Sequence, residues 1–346
     1  MASDNTNNTA IVILNWNGKN YLEKFLPLLV KNTATNLTKV CIIDNNSTDN
    51  SVSFIKDTFP QIQLVVLDKN YGFAGGYNKG LEEITADYYL LLNSDIEVPE
   101  NWLNPLVELM DNNPDIAVCG PKLLNYHQRN DFEYAGAAGG FIDKLGYPFC
   151  RGRIFEYCEA DNGQYDSLMD CFWISGAALM IRSEIFKKIG GFDEDFFAHQ
   201  EEIDLCWRIQ NLGYRIVCEP KSIVYHVGGG TLHKSNPFKT YLNFRNNLYL
   251  IRKNLPKYSR HKVLLIRFFL DHVAAYRMLL KGNVKEYFAV FKAWLHFWIN
   301  SPKMNKKRKL VRPKSPKYLN SLYRRSIVVD FYYNKKKKFS DIDMMK

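Results

Sequence analysis

The chain has 346 residues, 46% hydrophobic and 24% charged, which is ample for one large α/β domain with an appendage. Its formal net charge of +10 is unevenly spread: residues 1–230 hold 18 Lys+Arg against 31 Asp+Glu (−13), and residues 231–346 hold 28 against 5 (+23). No stretch reaches 18 uncharged apolar residues and the first nine residues lack a basic region followed by an apolar core, so neither a spanning helix nor a secretory signal is predicted.

Strands and helices alternate along the body. The apolar runs Ala10–Leu14, Lys39–Ile43, Ile62–Leu67 and Tyr88–Leu92 read as strands. Between them lie predicted helices at Lys19–Lys31, bent near Pro27, at a short segment capped by Ser47 or Asp49 and running to Asp57, and from about Ala74 to Ile84. A proline-started helix is predicted over Pro99–Met110, with strands at Ile116–Cys119 and Ala177–Ile181. Residues 122–170 show no clean period and read as loops and short strands. Glu201–Leu212 is a predicted helix closed by Gly213, followed by strands near Tyr214–Val217 and Ile223–Tyr225. This alternation predicts an α/β fold with a mostly parallel sheet and helices on both faces.

Oxygen-bearing side chains collect where these strands end. Tyr88–Leu92 stops on Asn93-Ser94-Asp95, and side chains at i and i+2 of an extended chain point the same way. One amide and one carboxylate, with room left for phosphate oxygens, suit Mg²⁺ or Mn²⁺. The other strands end in Asn15-Trp16-Asn17-Gly18, in Asp44-Asn45-Asn46-Ser47-Thr48-Asp49 and in Asp68-Lys69-Asn70-Tyr71-Gly72-Phe73-Ala74-Gly75-Gly76. Asp44 is a candidate acceptor for a pyrimidine N3–H, with Asn15 and Trp16 lining the base or ribose. Asp68 and Asn70 are candidates for sugar hydroxyls or the diphosphate, beside Lys69, and the glycines allow close backbone approach. Singly each group is ordinary turn chemistry; their shared edge points to a ligand. Neither G-x-G-x-x-G nor G-x-x-x-x-G-K-[ST] occurs, which weighs against dinucleotide oxidoreductases and P-loop enzymes.

A second dense patch runs from Gly191 to Asp204. Glu201 and Glu202 open a helix, where carboxylates complement the dipole, and Asp204 pairs with Arg208 at i, i+4 in the plainest reading. Phe196 and Phe197 beside them would desolvate a carboxylate and raise its pKa, as a general base requires. His226 ends an apolar strand before Gly228-Gly229-Gly230, a loop expected to move. The seven cysteines contain no C-x-x-C, and Cys150, Cys158 and Cys171 lack zinc-site spacing. A reducing, cytoplasmic setting is expected.

In this order the motifs resemble the inverting family-2 glycosyltransferases of GT-A fold, particularly the rhamnosyltransferase-like branch that builds bacterial surface polysaccharides. The resemblance covers roughly residues 8–250. It rests on Asn15-Trp16-Asn17-Gly18, Asp44 to Asp49, Asn70 to Asn78, Asn93-Ser94-Asp95, Ser175-Gly176-Ala177-Ala178, Gly191-Phe192-Asp193-Glu194 and Glu201 to Leu205. It implies transfer from a nucleoside diphosphate sugar, such as dTDP-rhamnose or a UDP-sugar, to a saccharide hydroxyl, with Mg²⁺ or Mn²⁺. Asp95 then falls on the metal ligand, Asn93 on the position usually held by a first Asp, and His226 on a residue that completes the metal or diphosphate site. The family's Glu-Asp pair, whose second member is the base, falls on Glu201 and Glu202. Donor contacts are implied for Asn15, Trp16, Asn17, Asp44, Asn46, Asp68, Asn70, Gly75, Asn93 and Ser94. Acceptor contacts are implied for Trp173, Gly176 and Asp204.

Beyond Leu250 the pattern becomes helical, with Leu265, Phe268, Phe269, His272, Tyr276 and Leu279, then Tyr287, Val290, Phe291, Trp294 and Trp298, among many Lys and Arg. Residues 251–346 are therefore expected as a basic amphipathic helical region that packs on residues 8–250 or lies on the anionic inner face of the cell membrane. A lipid-linked saccharide acceptor fits the second option. Among rivals, a sugar nucleotidyltransferase would show an early Gly-rich loop where Asn15–Gly18 stands, and a processive synthase would show Q-x-x-R-W and membrane spans. A nucleic-acid binder would leave the acidic strand-end cluster unexplained, so no nucleic-acid partner is expected.

Overall fold

Apolar runs closed by polar turns build the sheet edge that matters for function. The computed structural model describes residues 7–33, 35–228, 236–311, 319 and 321–344. Strands β1 (Thr9–Asn15), β2 (Thr38–Asp44), β3 (Gln63–Val66) and β4 (Tyr88–Leu92) are linked by helices α1 (Lys19–Thr33), α2 (Ser51–Thr58) and α3 (Gly72–Leu81). β1 pairs in parallel with β2 and β4, and β2 with β3, so their C-terminal ends share one edge. The chain steps outward from β1 to β3 and returns on the other side of β1 as β4. That reversal is a topological switch point, where open α/β sheets leave a crevice.

After β5 (Ile96–Glu97), α4 (Asn104–Asn112) and β6 (Ile116–Asn125) come four short strands: β7 (Gly140–Asp143), β8 (Pro148–Cys150), β9 (Arg153–Ile154) and β10 (Tyr157–Cys158). Then follow β11 (Met169–Asp170), β12 (Ala178–Arg182), α5 (Ser183–Lys188), α6 (Glu201–Asn211) and β13 (Arg215–His226). The large sheet runs β11-β13-β6-β12-β4-β1-β2-β3, with β12 antiparallel to both its neighbours. Ala10 and Val12 enter the core on one face and Ile11 and Ile13 the core on the other, so both faces are covered.

Several boundaries differ from the sequence reading, each for a local reason. α4 starts at Asn104 with a proline in its first turn; the Pro105 ring, not that of Pro99, supplies the preset φ. The two strands expected near 214–225 are one strand, β13, whose register shifts between Glu219 and Ile223, around Pro220. Residues 140–158 form a second sheet, ordered β10-β9-β8-β7-β14, whose last member β14 (Leu322–Tyr323) arrives from the C-terminal end of the chain.

Three long helices, α7 (Pro237–Asn254), α8 (Lys257–Leu280) and α9 (Val284–Val311), make up most of the C-terminal third. The expected boundary at residue 250 falls inside α7. Leu250, Trp294 and Tyr323 share one core with Val12 and Leu91, so this third is built onto the body. Lys307 and Lys303 of the basic run pair with Asp195, at 2.6 and 2.5 Å. The outer face stays open: Leu265, Phe269, Val273 and Leu280 of α8 and Phe288, Leu295 and Ile299 of α9 are exposed, opposite the buried Val263, Ala289, Ala293 and Phe297. Among the described residues, no helix is long and apolar enough to cross a membrane. None of the seven cysteines is in a disulfide.

Candidate active site

The first cluster is a web of amides and carboxylates at the ends of β1 and β2. Asn15 Nδ2 donates to Asp44 Oδ2 at 3.0 Å and to Ser47 Oγ at 3.1 Å, and the Ser47 N–H donates to Asp44 Oδ1 at 2.8 Å. Asn15 Oδ1 is buried without a partner, an acceptor free for a ligand N–H. Asn17, at φ 51, accepts from Thr48 N at 2.7 Å and holds the loop in shape. Asp44 is fully buried with both oxygens engaged, while Trp16 and Asn46 are exposed on the rim. Asn70 Oδ1 accepts from Asn45 Nδ2 at 3.0 Å and from Gly72 N at 2.8 Å, shaping the turn into α3. Asp68 is exposed and accepts from Tyr71 Oη at 2.9 Å, and Gly75 lies near Glu194. Gly72, at φ +72, has the Phe197 ring 2.7 Å from where a Cβ would stand, so no larger residue fits.

Past β4, Asn93 and Ser94 are half-buried and Asp95 is buried. Asp95 Oδ1 lies 3.2 Å from His226 Nε2, and His226 Nδ1 lies 3.3 Å from Glu133 Oε1, too poorly aligned to count as a hydrogen bond. Burial pushes the Asp95 carboxyl up, but the hydrogen bond and charge of His226 outweigh it and hold it below the usual carboxylate range. Burial opposes a charged His226, yet Glu133 and Asp95 raise it to about 10. Among the described residues no group of three His, Cys, Asp or Glu forms a metal cage. One carboxylate, the Asn93 amide and, once His226 gives up a proton, its imidazole nitrogen would fit a hard divalent ion that draws its remaining ligands from phosphate oxygens. Glu133 would then orient the imidazole from behind.

The second cluster opens α6. Glu201 is buried with Oε2 unpartnered, and Glu202 is half-buried. Burial raises the Glu202 carboxyl to about 7, and burial followed by the charge of Glu202 raises that of Glu201 well above the usual range. A Cβ on Gly176 would stand 3.9 Å from the Glu202 Cβ and 3.2 Å from Phe73 Cζ. Next to it, the Ala177 carbonyl accepts from Asn93 N at 2.9 Å. A short run of touching residues thus joins Glu202 to the Asn93–Asp95 turn.

The loop before Glu201 is strained: Phe197, His199 and Gln200 have φ of 64°, 69° and 69°. Helix α7 holds it. Asn246 Nδ2 lies 2.9, 2.8 and 2.7 Å from the carbonyls of Phe196, Ala198 and His199, and Gln200 Nε2 donates to the Asn243 carbonyl at 3.0 Å. Phe196 packs on Tyr249 and Phe197 on Gly72, and the aromatic ring beside Gly176 is that of Phe73.

Two expected acceptor residues lie elsewhere. Asp204 is fully buried, bonded to Arg208 Nε and Lys253 Nζ, both at 2.8 Å, and to Asn254 Nδ2 at 2.9 Å, which leaves no face for a saccharide. Trp173 is buried against Gly140, with Nε1 donating to the Phe141 carbonyl at 2.9 Å. Both lock the body instead. Gly229 and Gly230 lie outside the described residues. Glu133 and Asn246 were missed: Glu133 sits in an aperiodic stretch, and Asn246 is far along the chain from the loop it holds.

The family model for glycosyl transferase family 2 matches residues 10–190. An O-antigen biosynthesis protein, RfbC of Myxococcus xanthus, is 27% identical over 194 residues, 54% of this chain and 15% of that protein. The N-acetylglucosaminyl-diphospho-decaprenol L-rhamnosyltransferase of Mycobacterium tuberculosis is 24% identical over 234 residues, 62% of this chain and 75% of that one. The crystal structure of GalNAc-T7 with UDP, GalNAc and Mn²⁺ superposes with a TM-score of 0.62 at 16% identity, covering 95% of this chain and 58% of that one. The fold is GT-A-like, with helices α7–α9 added, and the chain belongs to glycosyl transferase family 2.

Proposed function

We propose that the protein transfers a sugar, with inversion, from a nucleoside diphosphate sugar to a hydroxyl of a saccharide acceptor. The observation that carries this reading is the contact path from Glu202 through Gly176 and Ala177 to Asn93 and Asp95. It sets a raised-pKa carboxylate within reach of a turn suited to a metal-bound diphosphate. Asn15, with its unpartnered Oδ1, and exposed Trp16 frame the base or ribose, beside the Asp44 web.

In the reaction, Glu202 accepts the proton of the acceptor hydroxyl on its free carboxylate. That oxygen bonds to the anomeric carbon as the bond from the same carbon to the phosphate oxygen breaks on the opposite face. One displacement inverts the centre. Burial and the charge of Glu202 raise the Glu201 carboxyl well above the usual range, and the half-buried Glu202 is taken as the base. Asp95 and His226, with Asn93, would hold Mg²⁺ or Mn²⁺, which would supply charge neutralisation at the diphosphate.

The acceptor is lipid-linked in this reading, and the exposed apolar face of α8 and α9 rests on the membrane surface. Residues 257–311 hold 13 Lys+Arg against 2 Asp+Glu, a net +11 that favours anionic lipid. The relative that acts on a diphospho-decaprenol carrier supports such an acceptor, and its name supports rhamnose as one donor sugar to try. A screen of UDP-, dTDP- and GDP-sugars with Mn²⁺ tests the reading: at least one donor is hydrolysed or transferred, and Glu202→Gln abolishes it. If no donor binds or reacts, the reading fails.

A further inference from the structure

The end of α7, the first turn of α8 and the end of α9 meet at one corner, and the corner is short of negative charge. Only Leu255 and Pro256 separate α7 from α8. Arg308 of α9 crosses to this junction, donating from Nη1 to the Lys253 carbonyl at 3.4 Å and also to the Leu255 carbonyl. Arg260 is only 5% exposed, yet among the described residues its Nε has no hydrogen-bond partner, and its Nη2 meets the ring Nε2 of adjacent His261, at 3.2 Å. The Nε of Arg252 is likewise buried and unpartnered. Burial pushes the Arg260 guanidinium down to about 10, with the charges of Arg252 and Arg308 adding to the shift.

The sequence explains why nothing answers these charges. Residues 220–270 and 287–329 contain no Asp or Glu at all. Lys253, the neighbouring cation, is already committed to Asp193 and Asp204, at 2.6 and 2.8 Å. The 24-residue helix α8 also begins here with no side-chain cap and no acidic residue in its first turn, so the positive end of its dipole is uncompensated. Burying unpaired guanidinium is costly, and a tetrahedral oxyanion relieves it through paired N–H···O bonds.

We propose that this corner binds a phosphate group between the guanidiniums of Arg252, Arg260 and Arg308, at the N-terminus of α8. Arginine suits the task because its planar fork matches two phosphate oxygens at once. The exposed apolar stripe of α8 begins at Leu265, little more than a turn beyond Arg260, so a lipid headgroup phosphate and a free phosphate are both within the site's reach. The inference stands apart from glycosyl transfer, since none of the three arginines belongs to the strand-end or α6 clusters.

Thermal unfolding of the full-length protein tests it, with inorganic phosphate compared against chloride at equal ionic strength. Phosphate raises the wild-type Tm by a few degrees more than chloride does, because it binds only the folded state. Arg252→Gln and Arg260→Gln raise Tm in chloride by relieving repulsion, and lose the phosphate response. Lys262→Gln, on the exposed side of α8, keeps it. Should Arg260→Gln not fold, the half-buried Arg252 carries the comparison. An equal phosphate response in wild type and Arg252→Gln, or none in wild type, overturns the proposal. Sedimentation with phosphatidylglycerol and phosphatidylcholine vesicles then separates the sources. Weaker pelleting of Arg252→Gln than of Lys262→Gln on the anionic vesicles identifies the headgroup, and equal pelleting identifies soluble phosphate.

Discussion

The turn after β4 and the N-terminus of α6 each carry a carboxylate, and the two are tuned in opposite directions. Asp95 is held ionised by His226, itself charged between Asp95 and Glu133. Glu202 lies beside Gly176 with no cation bonded to it among the described residues, and burial raises it to about 7. A permanently charged group suits the holding of a metal and diphosphate; a group poised near neutrality suits moving a proton. Their construction differs too. The Asp95 turn has ordinary backbone angles and is held by Ala177, Val227 and His226, whereas the Glu202 turn is strained and leans on α7 through Asn246.

The largest expected effect breaks the comparison at the proton. Glu202→Gln keeps the shape and lowers turnover by about 10²–10⁴-fold with donor affinity intact. Glu201→Gln is milder; if it proves the dead variant instead, the assignment within the pair is reversed. Next is the clamp. Asn246→Ala removes the amide that bonds three carbonyls of the 196–199 loop, lowering stability by about 1–3 kcal/mol and kcat roughly tenfold, with donor KM unchanged. A rise in donor KM at constant kcat would place the clamp's effect on the wrong cluster.

The pH dependence sharpens the same contrast. Activity should rise with pH through about 7 as Glu202 ionises. Stability should move the other way: the folded state holds this proton more tightly than the unfolded chain, whose Glu titrates near 4.5, so the contribution is present below 4.5 and lost as pH rises through 7. Urea unfolding of wild type and Glu202→Gln between pH 4.5 and 7.5 reads it as a slope the variant lacks. Smallest is the membrane effect. Phe269→Ser with Leu295→Ser should weaken pelleting on anionic vesicles without lowering Tm, since both side chains are exposed. Removing residues beyond 250 is a poor test, because it would cut α7 and open the shared core.

Much of this was legible in the chain. Strand ends, parallel order and family follow from apolar runs that stop on Asn15, Asp44 and Asp95, because the period-2 pattern and the turn residues are local signals. The switch-point crevice follows from the same alternation. What stayed hidden depends on distance along the chain. Asp204 sits next to two candidate bases, and only the fold reveals Lys253 and Asn254 closing over it. The 140–158 sheet completes itself with Leu322–Tyr323, so no window of sequence around it carries a full signal. Nothing in residues 237–254 taken alone marks Asn246, whose role shows only against the strained loop. The charge split pointed outward to a membrane, yet Lys303 and Lys307 turn inward to Asp195.

In the proposed reaction Asp95 serves donor binding and Glu202 serves the chemical step. Measuring nucleoside diphosphate affinity with Mn²⁺ by calorimetry and the single-turnover transfer rate, in Asp95→Asn and Glu202→Gln side by side, tests it directly. A crossed result is expected: Asp95→Asn, still folded, loses the metal-assisted affinity, and Glu202→Gln keeps it while losing the rate. Unchanged affinity in Asp95→Asn, or lost affinity in Glu202→Gln, would contradict the division of labour.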